Sequence, residues 1–264
     1  MLNVSLTFDD GTIDQYGIAR VLELIGVRGT FFIITGLREF EGKQLLAQYP
    51  RLILRVHNMG HEVGSHTRTH PDLTTLSNNE AAKELSDSKE FLQNVIGQEV
   101  RGFAYPWGRH SHSVRKAVAR MYWYGRATRR CDSKRFDRYA IPVDSLNKAR
   151  LISDVLLNTL RRNDLQLVLL FHEISTLRML LVVYALKLLG ARFLTLDDLQ
   201  QHIHAEERVT LNGYLRFESG SVSPYRWIRD WSGRIFCQPL SSTLRLHNVH
   251  FEEGNEESHG ACPL

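Results

Sequence analysis

The residues with the most chemistry to offer come early. Thr7-Phe8-Asp9-Asp10-Gly11 sets two carboxylates side by side at the end of a strand-like run, before a glycine that lets the backbone turn sharply. Adjacent carboxylates repel, and a divalent cation bound by one lowers the cost of ionising the other. A plain Asp-Asp-Gly turn is the alternative. The second signal is His66-Thr67-Arg68-Thr69-His70, after the strand-like Glu62-Val63-Gly64-Ser65. A spacing of four predicts both imidazoles on one side of a helical turn, close enough to share an ion, although two surface histidines have the same spacing. Two imidazoles and one carboxylate would leave an ion open positions for water and substrate, which is a catalytic arrangement. Zinc is the first expectation, and cobalt, nickel or iron(II) also suit such a nitrogen–oxygen triad.

Such chemistry needs its side chains delivered to one place. Short β-branched or aromatic runs predict strands at Asn3–Phe8, Gly29–Thr35, Glu62–Ser65, Arg101–Tyr105, Tyr122–Ala127, Leu165–Phe171 and Arg192–Thr195. Helical periodicity lies between them at Ile13–Leu24, Asn78–Val95, Ser113–Met121, Ala149–Arg161, Leu177–Leu189 and Leu196–His204. This alternation predicts an α/β fold with parallel strands, and about seven repeats fit an incomplete or distorted β/α barrel better than a full eight-fold one. An open doubly wound sheet is the second choice. In a β/α barrel the chemistry gathers where strands end. Asp9 and Asp10, His66, Tyr105-Pro106-Trp107-Gly108 and His172 all follow predicted strands, so all fall on one edge. His172 also reads as a core histidine satisfied by a carbonyl, and Trp107 as packing or as an apolar wall for a sugar face or acyl methyl group.

With 264 residues and a formal net charge of +4, the chain has room for one large α/β domain and a small appendage. The first is expected over residues 1–204, and a β-rich extension over 205–264, with strands at Val209–Phe217 and Leu244–Phe251 and a poorly ordered tail from Glu252. Tyr225, Trp227 and Trp231 of that extension suit either a homo-oligomer interface or a small core. No apolar run is long enough for a membrane helix. The basic stretch Arg129–Arg138 contains Asp132 and Asp137, so no nucleic-acid partner is expected. Cys131, Cys237 and Cys262 form no disulfide framework, and the N-terminus runs almost directly into a strand, which together lead to the expectation of a cytoplasmic protein.

Taken together and in order, these motifs resemble the polysaccharide deacetylases of carbohydrate esterase family 4, the NodB homology domain. The residues that carry the resemblance are TFDD at Thr7–Asp10, His-[Ser/Thr]-x-x-His at His66–His70, an aromatic-proline-glycine motif at Phe103–Gly108 and Leu-x-x-His at Leu169–His172. The resemblance implies a distorted β/α barrel, with Asp9 as general base, Asp10, His66 and His70 as metal ligands and His172 as general acid. The backbone N–H of Tyr105 is the expected second oxyanion donor, and Tyr105 and Trp107 the expected substrate contacts.

Two departures stand out. Many members have an arginine before the third motif's prolines that orients the catalytic aspartate, and Ala104 stands there. Arg101, three residues upstream, would not point the same way, which leaves Arg126 and Arg138 as substitutes. The family's fourth-motif acid has only Asp137 and Asp144 as counterparts. The third motif is similar to a FAYP-type variant branch, in which substrates differ from those of the chitin and peptidoglycan enzymes, and the expected cytoplasmic location favours an N-acetylated sugar, a sugar conjugate or another small amide. Competing readings are a hydrolase of cyclic amides or imides, a non-catalytic carbohydrate-binding relative and, remotely, an iron(II) oxygenase.

Overall fold

In the computed structural model, the described residues are 2–128, 138–145 and 166–201, together with the strands 214–216, 222–229 and 235–239. Strand β1, Asn3–Phe8, is buried along its whole length and lies at the middle of a parallel eight-stranded sheet. Around it run β2 (Thr30–Ile33), β5 (Glu62–Ser65), β6 (Gly102–Ala104), β7 (Tyr124–Arg126), β8 (Asp144–Ser145) and β9 (Gln166–Phe171) in the order β7-β6-β5-β2-β1-β9-β8. A short β10, Arg192–Phe193, pairs with the start of β1. A small antiparallel hairpin of β3 (Glu39–Phe40) and β4 (Lys43–Gln44) stands apart from the sheet. The curled parallel sheet and its helices form the incomplete barrel that the repeat count predicts.

Burial on both faces makes β2 and β9 read as nearly continuous apolar runs, whereas β1 alternates Val4, Leu6 and Phe8 with the equally buried Asn3, Ser5 and Thr7, the last donating from Oγ1 to the Leu169 carbonyl at 2.8 Å. Their register stacks Phe8 between Phe31, at 4.7 Å, and Phe171, at 5.4 Å. That places the C-terminal ends of three strands at one level.

The helices are α1 (Asp14–Leu24), α2 (Pro50–Asn58), α3 (Asn78–Ile96), α4 (His112–Met121) and α5 (Thr176–Leu188), with a further helical stretch over 196–201. Helix α3 shows why its residues make a helix. Ser77 and Glu80 cap each other reciprocally at the start, Ala81, Leu85, Leu92 and Ile96 bury one stripe, and Gly97 ends it at φ 70°. Helix α2 escapes the periodicity reading because only Ile53 and Val56 are buried on it, among Arg51, Arg55 and His57. No helix of the described residues is long and apolar enough to cross a membrane.

The chain divides into two compact units, 1–200 and 201–264. In the second, β11 (Tyr214–Arg216), β12 (Val222–Arg229) and β13 (Ile235–Pro239) form an antiparallel sheet. Strand β12 runs through Ser223 and Pro224, which by themselves read as turn residues. The expected strand Leu244–Phe251 and helix Ala149–Arg161 lie outside the described residues.

At the sheet's N-terminal edge sits a polar cluster built on Glu62. Its carboxylate accepts from Tyr124 Oη, from Thr30 Oγ1 at 2.9 Å and from the Asp197 N–H at 2.9 Å. Burial, and then the nearby Asp197 carboxylate, push its pKa up to about 7 from 4.5. Between those values the folded chain holds a proton that the unfolded chain has released. Stability therefore falls as pH rises across that window, by about 3 kcal/mol from this group. Glu62→Gln keeps the shape and the acceptor. In denaturant titrations it is expected to match wild type at pH 4.5 and to exceed it by up to about that amount at pH 8.

Candidate metal centre

The turn after β1 carries the two carboxylates. Asp10 and Gly11 both adopt left-handed backbone, at φ 72° and 69°. A Cβ on Gly11 would lie 2.9 Å from Ile33 Cγ2, so glycine is required there. The reversal is pinned by Ile34 N–H donating to the Asp10 carbonyl at 3.3 Å and Leu46 N–H to that of Gly11 at 2.8 Å. Both aspartates end up buried and facing the ends of the neighbouring strands.

The His66–His70 segment is not the helical turn that its spacing predicts. Thr67 and His70 have φ of 66° and 59°, which breaks any helix. Pro71 follows His70 and disfavours α geometry at the residue before it. Glu84 of α3 then fastens the loop, accepting from the N–H groups of Arg68 and Thr69 at 2.9 and 2.8 Å and from Thr69 Oγ1 at 2.7 Å. The loop reaches the outcome expected of the helix, with both imidazoles pointing at one spot.

That spot is a small triangle. His66 Nε2 lies 3.2 Å from His70 Nε2 and 3.6 Å from Asp10 Oδ1, and His70 Nε2 lies 3.8 Å from the same oxygen. Ligands about 2.1 Å from a tetrahedral ion are about 3.4 Å apart, so these three atoms fit one ion. His66 Nδ1 lies 2.8 Å from the Ala104 carbonyl, which calls for the proton on Nδ1 and leaves the Nε2 lone pair toward the triangle. His70 Nδ1 has no such partner among the described residues. Its ring is flanked instead by Phe40, at 4.6 Å, and Trp107, at 4.7 Å.

The electrostatics agree with a cation site. Burial holds His66 down at about 4 despite the pull of Asp9, and burial with the neighbouring His66 takes His70 down to about 3. Both rings are neutral at pH 7 and offer lone pairs. Burial, then Asp9 and Glu41, push Asp10 up to about 7, the cost of a second carboxylate that a bound cation would remove. Burial also acts to raise Asp9, but Arg126, His66 and His172 outweigh it, and its pKa is lowered overall.

Arg126 fills the gap left by Ala104. It is the register partner of Ala104, one strand over at the same level, and its fully buried guanidinium donates from Nη2 to both Asp9 oxygens. Arg101 is engaged at the far edge with Asp197 and Glu99, and Arg138 lies over the Tyr139 ring. Asp137 lies outside the described residues, and for Asp144 only a backbone place opposite Leu169 is defined.

His172 follows β9 and is more than half exposed, with Nε2 3.9 Å from Asp9 Oδ2. Tyr105 is not placed as expected. Its side chain is fully buried and donates to the Tyr139 carbonyl at 2.8 Å, while its N–H donates to the Arg126 carbonyl at 3.0 Å. A residue still inside the strand ladder has no N–H to spare for an oxyanion, and its side chain does not reach the cleft. Trp107, in a left-handed conformation two residues on, is 55% exposed and stands beside His70. Phe40 gave no signal in the alternation, because its strand has two residues; the positive-φ Glu41-Gly42 pair is the turn that betrays the hairpin.

Removing Arg126 would strand the buried Asp9 carboxylate. Arg126→Met is expected to lower stability at pH 7 by about 3–5 kcal/mol, and Asp9→Asn in the same chain to restore much of it. Denaturant unfolding of the four members of that cycle measures both.

The polysaccharide deacetylase family model matches residues 3–123. A chitin deacetylase of Arthroderma benhamiae is 30% identical over 123 residues, 46% of this chain and 32% of the relative. A peptidoglycan-N-acetylglucosamine deacetylase of Bacillus cereus is 29% identical over 108 residues, 40% of this chain and 36% of the relative. The chain thus spans about a third of the length of these relatives. Among solved structures, the Xyl-CE4 domain of a multidomain xylanase from the hindgut metagenome of Trinervitermes trinervoides shares the fold. Its TM-score is 0.59 at 20% identity, over 77% of this chain and 91% of that one. The family match covers Asp9, Asp10, His66, His70 and Trp107 and ends before Arg126 and His172. Over residues 3–123, then, the chain is similar to the polysaccharide deacetylase family.

Proposed function

We propose that this chain is a metal-dependent deacetylase that hydrolyses the acetamide of an N-acetylated sugar or sugar conjugate. The observation that carries the reading is the buried Asp10–His66–His70 triangle beside an ionised Asp9. The named activities of the chitin and peptidoglycan relatives support the substrate class.

Asp10, His66 and His70 would hold the ion, with zinc the first choice and cobalt, nickel or iron(II) compatible with the same donors. When bound, it supplies Lewis acidity toward the amide carbonyl and makes a water at the site more acidic. Asp9 accepts a proton from the attacking water, a task for which its ionised state and its fixed orientation on Arg126 prepare it. His172, at the mouth of the site, donates a proton to the amine as the carbon–nitrogen bond breaks. Water is thereby divided, its hydroxyl to the acetyl carbon and its hydrogen to the nitrogen. Phe40 and Trp107 offer apolar ring surface for the acetyl methyl or a sugar face.

Zinc-loaded protein is expected to release acetate from chitooligosaccharides or peptidoglycan fragments, to lose activity on chelation and to regain it with zinc. Asp9→Asn is expected to lower kcat by about 10²–10⁴ with zinc content unchanged. Ring opening of cyclic imides without acetate release, or sugar binding without turnover in the zinc-loaded protein, would overturn the reading.

A further inference from the structure

Gln15 occupies an odd place. On α1 the buried stripe is Gln15, Ile18, Ala19 and Leu22, and an apolar residue would complete it. Its Nε2 donates instead to the Asp9 carbonyl and, at 3.3 Å, to the His172 carbonyl. Two carbonyl acceptors fix the amide's orientation, because only the NH2 end has hydrogens for both. The Oε1 end is left buried with no partner. A glutamine kept only for packing would be expected to satisfy both ends or to be replaced by an apolar side chain.

The location explains the exception. Strands β1 and β9 pair in register up to Phe8 and Phe171, and one more backbone bond joins Asp9 N–H to the Phe171 carbonyl at 3.0 Å. Beyond it the chains part, Asp9 into the turn that holds Asp10 and His172 into the loop leading to α5. Gln15 bridges the two strands one rung past the end of the ladder, at the two residues assigned above as base and acid.

We infer that Gln15 is a positioning residue that sets the separation of Asp9 and His172 by tying their carbonyls to one amide. The inference rests on the roles proposed for those two residues, but the tie itself is independent of them. Without it, the β9 loop loses its anchor to β1 while the triangle of Asp10, His66 and His70 keeps its own supports.

The test is Gln15→Met, which keeps length and burial and removes both donors, with Gln15→Asn as a second variant that keeps an amide too short to span both carbonyls. Hydrogen–deuterium exchange on the full chain is expected to speed up several-fold over 9–13 and 172–176 and to leave the rest of the sheet unchanged. With a chitooligosaccharide, kcat is expected to fall about 10- to 100-fold with KM and zinc affinity within about twofold. Unchanged exchange in those two segments, or faster exchange across the whole domain, would overturn the inference, as would an unchanged kcat. If wild type releases no acetate, the proposed reaction fails and the exchange result alone decides on Gln15.

Discussion

Two carboxylates on adjacent residues, both buried, cannot both ionise without positive charge close by, and this requirement organises the site. Arg126 meets it for Asp9, from within the sheet and without solvent. Among the described residues Asp10 has no comparable partner, and its raised pKa registers the deficit. Two imidazoles kept neutral by burial face the same carboxyl oxygen. A divalent cation is the group that would satisfy all three at once, which is why the arrangement reads as a metal centre and not as a salt-bridge network.

The parallel sheet makes this arrangement possible. The side chains of the site come from the ends of β1, β5, β6, β7 and β9, so their relative places are fixed by register and not by local sequence alone. Phe8 opposite Phe31 and Phe171 sets the level at which Asp9 and His172 emerge, and Ile33 opposite Ser65 does so for His66. Ala104 opposite Arg126 shows the same logic, because a guanidinium lost from one strand is supplied at the same height by the next. The turns then re-aim the side chains, which is where the left-handed residues Asp10, Thr67, His70 and Trp107 concentrate.

Much of this was legible in the sequence. The span of β1 agrees to the residue, and the coincidence of Asp9, Asp10, His66, Trp107 and His172 with strand ends follows from counting alone. Arg126 was visible only as one of two substitutes, because the choice depends on register between β6 and β7, which one-dimensional patterning does not encode. Tyr105 was misplaced for a related reason: whether a motif residue is the last in the ladder or the first beyond it is decided by pairing with β7. The helical turn at His66–His70 fails because spacing specifies which residues meet, not the backbone that brings them together. Phe40 and Gln15 belong to no motif, and their parts depend on contacts between distant elements.

The most direct measurement is the zinc K-edge absorption spectrum of the chain loaded with one equivalent of zinc. Two imidazole nitrogens and carboxylate oxygen at about 2.0–2.2 Å are the expected scatterers, with one imidazole lost in His66→Ala and none in Asp9→Asn. A zinc shell without imidazole, or one unaltered by His66→Ala, would contradict the metal centre on which the proposed chemistry rests.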